Sequence, residues 1–123
     1  MRKTFLSFVL ILLLAGGALA DQIVLTGVSE DFTRVGNGET VRVEGTSCDV
    51  HLNGTFAEVV VVGSSNDIYI ESCSTVRLVG SSNDVYLQDT KFVELTGSSN
   101  DVWCQGTRPE IDNLGINNDV HQQ

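Results

Sequence analysis

The sequence predicts an all-β fold: a single-domain parallel β-solenoid of about six coils, each of 17 or 18 residues with two short strands. The first observation is a repeat, because GSSND occurs three times and GINND once, with degenerate copies before them. The second is the spacing of the turn glycines, which are 17 or 18 residues apart. They are Gly27, Gly45, Gly63, Gly80, Gly97 and Gly115. A fixed period of this length is typical of stacked-repeat proteins.

The third observation is that apolar residues alternate with the two-residue period of a strand on both sides of each glycine. Aligned on the glycines, they form four columns, two before the turn and two after it. The columns are Ile23, Val41, Val59, Val76, Val93 and Ile111; Leu25, Val43, Val61, Leu78, Leu95 and Asn113; Phe32, Val50, Ile68, Val85, Val102 and Val120; and Arg34, Leu52, Ile70, Leu87, Cys104 and Gln122. Strands of about four residues bury an apolar face only by stacking on their copies, so these columns are the predicted core.

Coil length changes by one residue in the second turn, where residues 54–58 correspond to residues 72–75. The first and last coils depart from the repeat. Glu30 and Arg34 replace consensus residues in the first coil, and Asn113 and Gln122 enter core columns in the last. Because the ends of a solenoid present unpaired strand edges, we interpret these changes as caps.

The first 20 residues have the features of a signal peptide. Arg2 and Lys3 precede an apolar run from Phe5 to Leu14, and Ala18-Leu19-Ala20 forms a small-x-small cleavage pattern. Cleavage after Ala20 leaves residues 21–123 as the solenoid domain, in the periplasm or outside the cell. The apolar run is short for a bilayer span and no second run follows, so no membrane span is predicted.

The charge is strongly acidic, with a formal net charge of −9. Loss of Arg2 and Lys3 would remove two of the seven basic residues and none of the 16 acidic ones. Nucleic acids bind proteins largely through Lys and Arg, so no nucleic-acid partner is expected. The sequence also contains no catalytic motif, and its two histidines, His51 and His121, lie four coils apart, about 19 Å at the strand spacing. We therefore assign no catalytic residue and predict that the protein is not an enzyme.

Two polar columns lie in the turns. Asn66, Asn83, Asn100 and Asn118 form the Asn column, in which a stacked amide ladder is expected to satisfy turn polar groups. The Asp column follows it and comprises Asp31, Asp49, Asp67, Asp84, Asp101 and Asp119. Carboxylates at this pitch repel one another unless each accepts turn N–H groups or a cation lies between them.

The segment GSSNDVYL resembles the nonapeptide of calcium-binding β-rolls, in which turn carbonyls and the Asp carboxylate ligate calcium. That resemblance implies calcium as the one candidate cofactor, with Asp49, Asp67, Asp84, Asp101 and Asp119 as its ligands. The other interpretation, in which Asp caps the turn, stays open.

An outward-facing column, called here the aromatic stripe, follows the Asp column by two residues: Thr33, His51, Tyr69, Tyr86, Trp103 and His121. Aromatic side chains stack favourably along a parallel sheet, so the stripe is expected to stabilise the sheet. Alternatively Tyr69, Tyr86 and Trp103 form a binding surface for an envelope glycan or a protein partner.

The three cysteines fall in different columns. Cys48 replaces an Asn, Cys104 occupies a core column, and Cys73 is aligned with Asn37, Thr55, Thr90 and Thr107. A disulfide needs Cα atoms within about 7 Å, so buried free thiols are expected. A strained disulfide and a thiol-linked dimer are the alternatives.

GSSNDV repeats after short valine strands, closed by WCQGTRPEIDNLGINNDV, resemble the secreted bacterial repeat proteins of domain-of-unknown-function family 3060. Residues 106–111 and 115–118 fit that family's closing segment and last turn. The resemblance implies an exported β-repeat fold and assigns no activity. The sequence thus predicts a non-enzymatic, exported, acidic β-solenoid with a binding or structural role at the cell envelope. Calcium binding and a glycan- or protein-binding surface are the alternative functions.

Overall fold

The computed structural model describes residues 8–12 and 22–123, and this part of the chain is built from β-strands. The strands are β1 Phe8–Leu12, β2 Gln22–Val28, β3 Asp31–Thr46, β4 Asp49–Ser64, β5 Asp67–Ser81, β6 Asp84–Ser98, β7 Asp101–Cys104, β8 Glu110–Asn113 and β9 Asp119–Gln122. None of these residues forms a helix long and apolar enough to cross a bilayer.

The strands stack in parallel, each on its copy in the next coil. The hydrogen-bonded order is β1 to β7 and then β9, while β8 pairs with the second half of β6. The register aligns like with like, for example Asp67 with Asp84 and Gly80 with Gly97. The predicted solenoid is therefore confirmed. In β3 to β6 the two predicted strand segments of a coil run into one another, because the second turn stays hydrogen-bonded to its neighbours.

Among the strands within residues 8–12 and 22–123, β1 is the one that pairs antiparallel, along the outer edge of β2. It lies inside the segment that the sequence predicts to be a signal peptide, and the predicted cleavage site after Ala20 lies outside the described residues.

The core consists of the predicted columns. Their members from Ile23 to Cys104 are buried except Arg34, which is half-buried, and Ile111 and Val120 of the last coil are partly buried. A full Val or Leu side chain removed from water contributes about 1.5 to 3 kcal/mol, so the stacked columns are the main source of stability.

The structure adds a fifth inward column and corrects one alignment. A register shift between Leu52 and Thr55 accommodates the extra residue close to the predicted place. As a result Cys73 aligns with Phe56 and Thr90, so its predicted alignment with Thr55 was wrong. Phe56 is 1% exposed and fills the space above Gly36, where an added Cβ would lie 2.3 Å from the ring.

Each first turn depends on a left-handed residue and a glycine. The residue two positions after each turn glycine, a Ser or Asn117, has a φ between 56° and 60°. The glycine is required by the close stacking of coils, because a Cβ at Gly80 would lie 1.8 Å from the carbonyl oxygen of Gly63. No side chain fits at that distance, so larger residues are excluded from this column.

The Asn column forms the predicted amide ladder. Asn66, Asn83 and Asn100 are completely buried. The Oδ1 of Asn83 accepts from the backbone N–H of Asn66 at 3.0 Å and from its Nδ2 at 3.1 Å. The Nδ2 of Asn83 donates to Gly63 O at 3.0 Å and to Asn100 Oδ1 at 3.2 Å. Each amide therefore connects three successive coils.

Polar residues end the stack. In the last coil Asn113 Oδ1 accepts from Asn118 Nδ2 at 3.1 Å, which closes the amide ladder. Gln122 Nε2 donates to Gly106 O at 2.7 Å. In the first coil Arg34 Nη1 donates to Thr33 O at 2.8 Å. These contacts agree with the interpretation of the terminal substitutions as caps.

Candidate functional site

One outer face of the solenoid carries three columns of polar and aromatic residues. Strand alternation places the Asp column, the aromatic stripe and a third column on the same side, because each column follows the previous one by two residues. The third column, called here the polar column, comprises Val35, Asn53, Glu71, Gln88, Gln105 and Gln123. The paired register arranges the Asp column and the aromatic stripe in files along the solenoid axis. The polar column comes directly after the paired residues, and its members from Asn53 onwards line one groove.

The aromatic stripe is a continuous ring stack. Ring centroids are 4.6 Å apart for His51 and Tyr69, 4.7 Å for Tyr69 and Tyr86, 6.2 Å for Tyr86 and Trp103, and 3.9 Å for Trp103 and His121. Neighbouring planes differ by 17° at most. The predicted ladder is thus present, and its first spacings match the distance between strands.

This stacking decides which part of each ring a ligand can reach. Rings packed face to face along the axis cover one another's faces, so the stripe presents mainly ring edges. Tyr69 is 38% exposed, whereas Tyr86 and Trp103 are half-buried. The wider step between Tyr86 and Trp103 is where a face is least covered. The stripe is therefore better suited to hydrogen bonding through its edges than to stacking on flat rings.

A groove of about 490 Å³ runs between the aromatic stripe and the polar column. Its lining residues are Tyr69, Tyr86 and Trp103 from the stripe, Asn53, Glu71, Gln88, Gln105 and Gln123 from the polar column, and Leu52, Ile70 and Leu87 from the core positions between them. Glu71 Oε1 accepts from Gly54 N at 2.7 Å, which fixes that carboxylate against the groove wall. The volume lies in the range of small-ligand sites.

The tyrosine hydroxyls of the groove are neutral hydrogen-bonding groups. Partial burial raises the pKa of Tyr69 and Tyr86, and the neighbouring Asp carboxylates raise it further. Both phenols therefore keep their protons at neutral pH and act as donors as well as acceptors.

The Asp column carries repelling carboxylates. Desolvation, followed by the charges of Asp84 and Asp49, raises the pKa of Asp67. Desolvation and then Asp101 raise the pKa of Asp84. The folded chain therefore disfavours the ionised forms of Asp67 and Asp84.

The turn carbonyls next to this column already accept hydrogen bonds. Asp67 N donates to Cys48 O and Asp84 N to Asn66 O, both at 2.9 Å. Gly63 O accepts from Asn83 Nδ2. In calcium-binding β-rolls such carbonyls are ligands, as the resemblance implies. Here calcium at Asp49, Asp67, Asp84, Asp101 and Asp119 would have to rely mainly on carboxylates.

At the end of the face that carries the last coil, Asp101, Asp119 and His121 come together. One ligand atom from each lies within 4.8 Å of the others. His121 Nε2 is 3.6 Å from Asp101 Oδ1. Sequence reasoning named both aspartates as calcium ligands and missed His121 as their neighbour. The sequence feature that could have indicated it is the place of His121 in the aromatic stripe, two residues after Asp119.

The polar column was also missed, although polar residues recur at this position in every coil except the first, which has Val35. Its members differ in type, and only the amide and carboxylate character of residues 53, 71, 88, 105 and 123 marks them. In the structure they form a groove wall.

The three cysteines are free and buried. Burial raises the pKa of Cys73 to about 11 and also raises the pKa of Cys104. Cys73 Sγ donates to Thr75 O at 2.9 Å. These two thiols therefore carry little thiolate at neutral pH and are poorly placed for nucleophilic chemistry.

Comparison with known proteins gives a match to a family and none to an individual protein. No curated protein and no solved structure matches the chain. The model of a family described as "Protein of unknown function (DUF3060)" matches residues 43–92, which extend from the second coil to the fourth. The resemblance inferred from the repeated turns is therefore confirmed, and over these central coils the chain is similar to family DUF3060.

Proposed function

We propose that this protein is a non-enzymatic binding module that is exported to the cell envelope and holds a neutral glycan chain in the groove beside the aromatic stripe. The observation that supports the proposal best is the groove itself. It joins a file of ring edges to a file of amide side chains over several coils.

The hydrogen-bonding groups of the groove suit a polyhydroxylated ligand. Gln88 and Gln105 each offer a carbonyl oxygen and an amide N–H2, and Tyr69 and Tyr86 offer hydroxyls. Sugars carry hydroxyls that both donate and accept, so paired donors and acceptors can be satisfied together. A file of such groups repeated at about 4.8 Å favours an extended chain over a compact ligand.

The charge of the face restricts the ligand further. The Asp column lies on the far side of the aromatic stripe, and Glu71 lies in the groove wall. With a net charge of −9, the chain repels anionic polymers. A neutral glycan avoids this repulsion.

Titration of Trp103 fluorescence with a panel of soluble neutral oligosaccharides of at least four sugars tests the proposal. Trp103 is the single tryptophan and lines the groove. We expect a saturable change with at least one glycan, weakened by Gln88→Ala and by Tyr86→Phe, which removes only the hydroxyl.

Thr96→Ala is the matched control, because Thr96 is exposed in the other strand segment of the same coil and lies outside the groove. Absence of any response across the panel, or equal weakening by the control, would refute glycan binding. A saturable response to an anionic oligosaccharide, titrated separately, and to no neutral one would refute the charge argument.

Calcium binding by the Asp column is the second candidate function. It is supported by the raised pKa values of Asp67 and Asp84, which desolvation causes first and neighbouring Asp charges second, because a divalent cation would stabilise the ionised carboxylates. The engaged turn carbonyls count against it, since calcium takes six to eight oxygen ligands. We therefore rank it below the groove.

A further inference from the structure

We propose that Asp101, Asp119 and His121 form a binding site for a divalent transition-metal ion, with Zn²⁺ as the best-matched ion. The site lies at the end of the outer face that carries the last coil. It is separate from the proposed glycan groove and does not depend on it.

The ligand atoms are already close to the distances that such a metal needs. Zn²⁺ lies about 2.0 to 2.2 Å from nitrogen and oxygen ligands, so tetrahedral ligands are about 3.3 to 3.6 Å apart. The distance from His121 Nε2 to Asp101 Oδ1 is 3.6 Å, and all three ligand atoms lie within 4.8 Å of one another. Rotation of the carboxylates that moves their oxygen atoms by up to about 1.5 Å would complete the geometry.

Rigid elements position these side chains. Asp101 and Asp119 are directly aligned in the parallel pair β7 and β9, as are Trp103 and His121. The imidazole of His121 stacks on the indole of Trp103 at 3.9 Å, which limits rotation of the ring. Its Nε2 lies 3.6 Å from Asp101 Oδ1. The strands and the stacked imidazole therefore position the site, and only the two carboxylates have to be ordered when a metal binds.

The mixture of ligands selects the type of ion. One imidazole nitrogen and two carboxylates suit Zn²⁺ and its neighbours Co²⁺ and Ni²⁺, whereas Ca²⁺ takes only oxygen ligands and more of them. Three protein ligands leave a further coordination position for solvent, since the side chains of His121 and Asp101 are 38% and 39% exposed.

The chain contains an internal comparison. Asp49 and His51 have the same two-residue spacing as Asp119 and His121, and His51 also ends the ring stack, against Tyr69 at 4.6 Å. In the described part of the chain, however, only the group around His121 brings three ligand atoms together. The Asp-x-His spacing alone therefore does not bring three ligand atoms together. At His121 the third ligand atom comes from Asp101 in the preceding coil.

Quenching of Trp103 fluorescence by Co²⁺, with no glycan present, tests the site. Trp103 is the only tryptophan and lies against His121, so a bound paramagnetic ion quenches it strongly. We expect saturable quenching with one ion per chain, reversed by Zn²⁺ and not by equal concentrations of Ca²⁺. Asp119→Asn should weaken Co²⁺ binding about tenfold or more without disturbing the ring stack.

His51→Ala is the matched control and should bind Co²⁺ as the unmodified chain does, whereas His121→Ala should not bind. Absence of saturable quenching would overturn the proposal. So would equal affinities in the Asp119→Asn and His51→Ala variants, or reversal by Ca²⁺ as readily as by Zn²⁺. Because glycan binding is measured without metal, either proposal can fail while the other holds.

Discussion

Replacement of Asn83 by alanine tests the amide ladder that holds the turns together. The Asn83 side chain is completely buried and takes part in four hydrogen bonds, two accepted from Asn66 and two donated to Gly63 O and Asn100 Oδ1. Each such bond contributes a net of about 1 kcal/mol, so their loss removes about 4 kcal/mol. The buried N–H of Asn66 is also left without its acceptor. This is a large share of the roughly 5 to 15 kcal/mol that stabilises a typical domain.

The free energy of unfolding can be measured by urea denaturation followed by circular dichroism. Asn37→Ala is the control, because Asn37 is exposed and should change stability by less than about 0.5 kcal/mol. If Asn83→Ala costs no more than Asn37→Ala, the ladder contributes nothing and our account of the turns is wrong.

Three further predictions concern stability. Thr90→Val should stabilise the protein by about 1 kcal/mol in urea denaturation, because Thr90 Oγ1 is buried and has no hydrogen-bond partner among the described residues; a loss of stability would mean that the hydroxyl is satisfied. Asp67→Asn should raise Tm at pH 7 and not at pH 3. Because the pKa of Asp67 is raised in the folded state, the protonated carboxyl stabilises the fold below the ordinary pKa of 3.8, and this stability is lost as the pH rises through the folded-state pKa. An equal change in Tm at both pH values would contradict this. Millimolar calcium should leave Tm unchanged, since the turn carbonyls are engaged, and a clear rise would favour calcium as a ligand.

Much of the fold could be predicted because the repeat reports the register directly. Glycines such as Gly80 recur where no Cβ fits, and valines such as Val85 recur where side chains face inward. Because the coils stack in register, residues at the same position of successive units are neighbours in space. An alignment of the units therefore predicts which residues are in contact. The second turn was less predictable because its coil length varies. There Cys73 was aligned with Thr55, whereas the structure aligns it with Phe56.

The candidate site was only partly predictable. The Asp column and the aromatic stripe are uniform enough to be recognised in the sequence, and both form the expected files. The groove depends on side-chain size and on the position of a third column of mixed composition. The group around His121 depends on distances between coils, which the repeat does not give. Columns can thus be read from the sequence, but the spaces and contacts between them need coordinates.

The central claim is that successive coils stack in register and align each column. The distance between spin labels at positions 33 and 121 tests this claim most directly. Thr33 and His121 occupy equivalent places in the first and last coils, five strand spacings or about 24 Å apart. With both replaced by labelled cysteines, pulsed electron paramagnetic resonance should give a narrow distribution near that distance, lengthened by a few ångströms for the labels. A broad distribution, or a mean far above this value, would contradict the stacked arrangement on which the columns, the groove and the metal site depend.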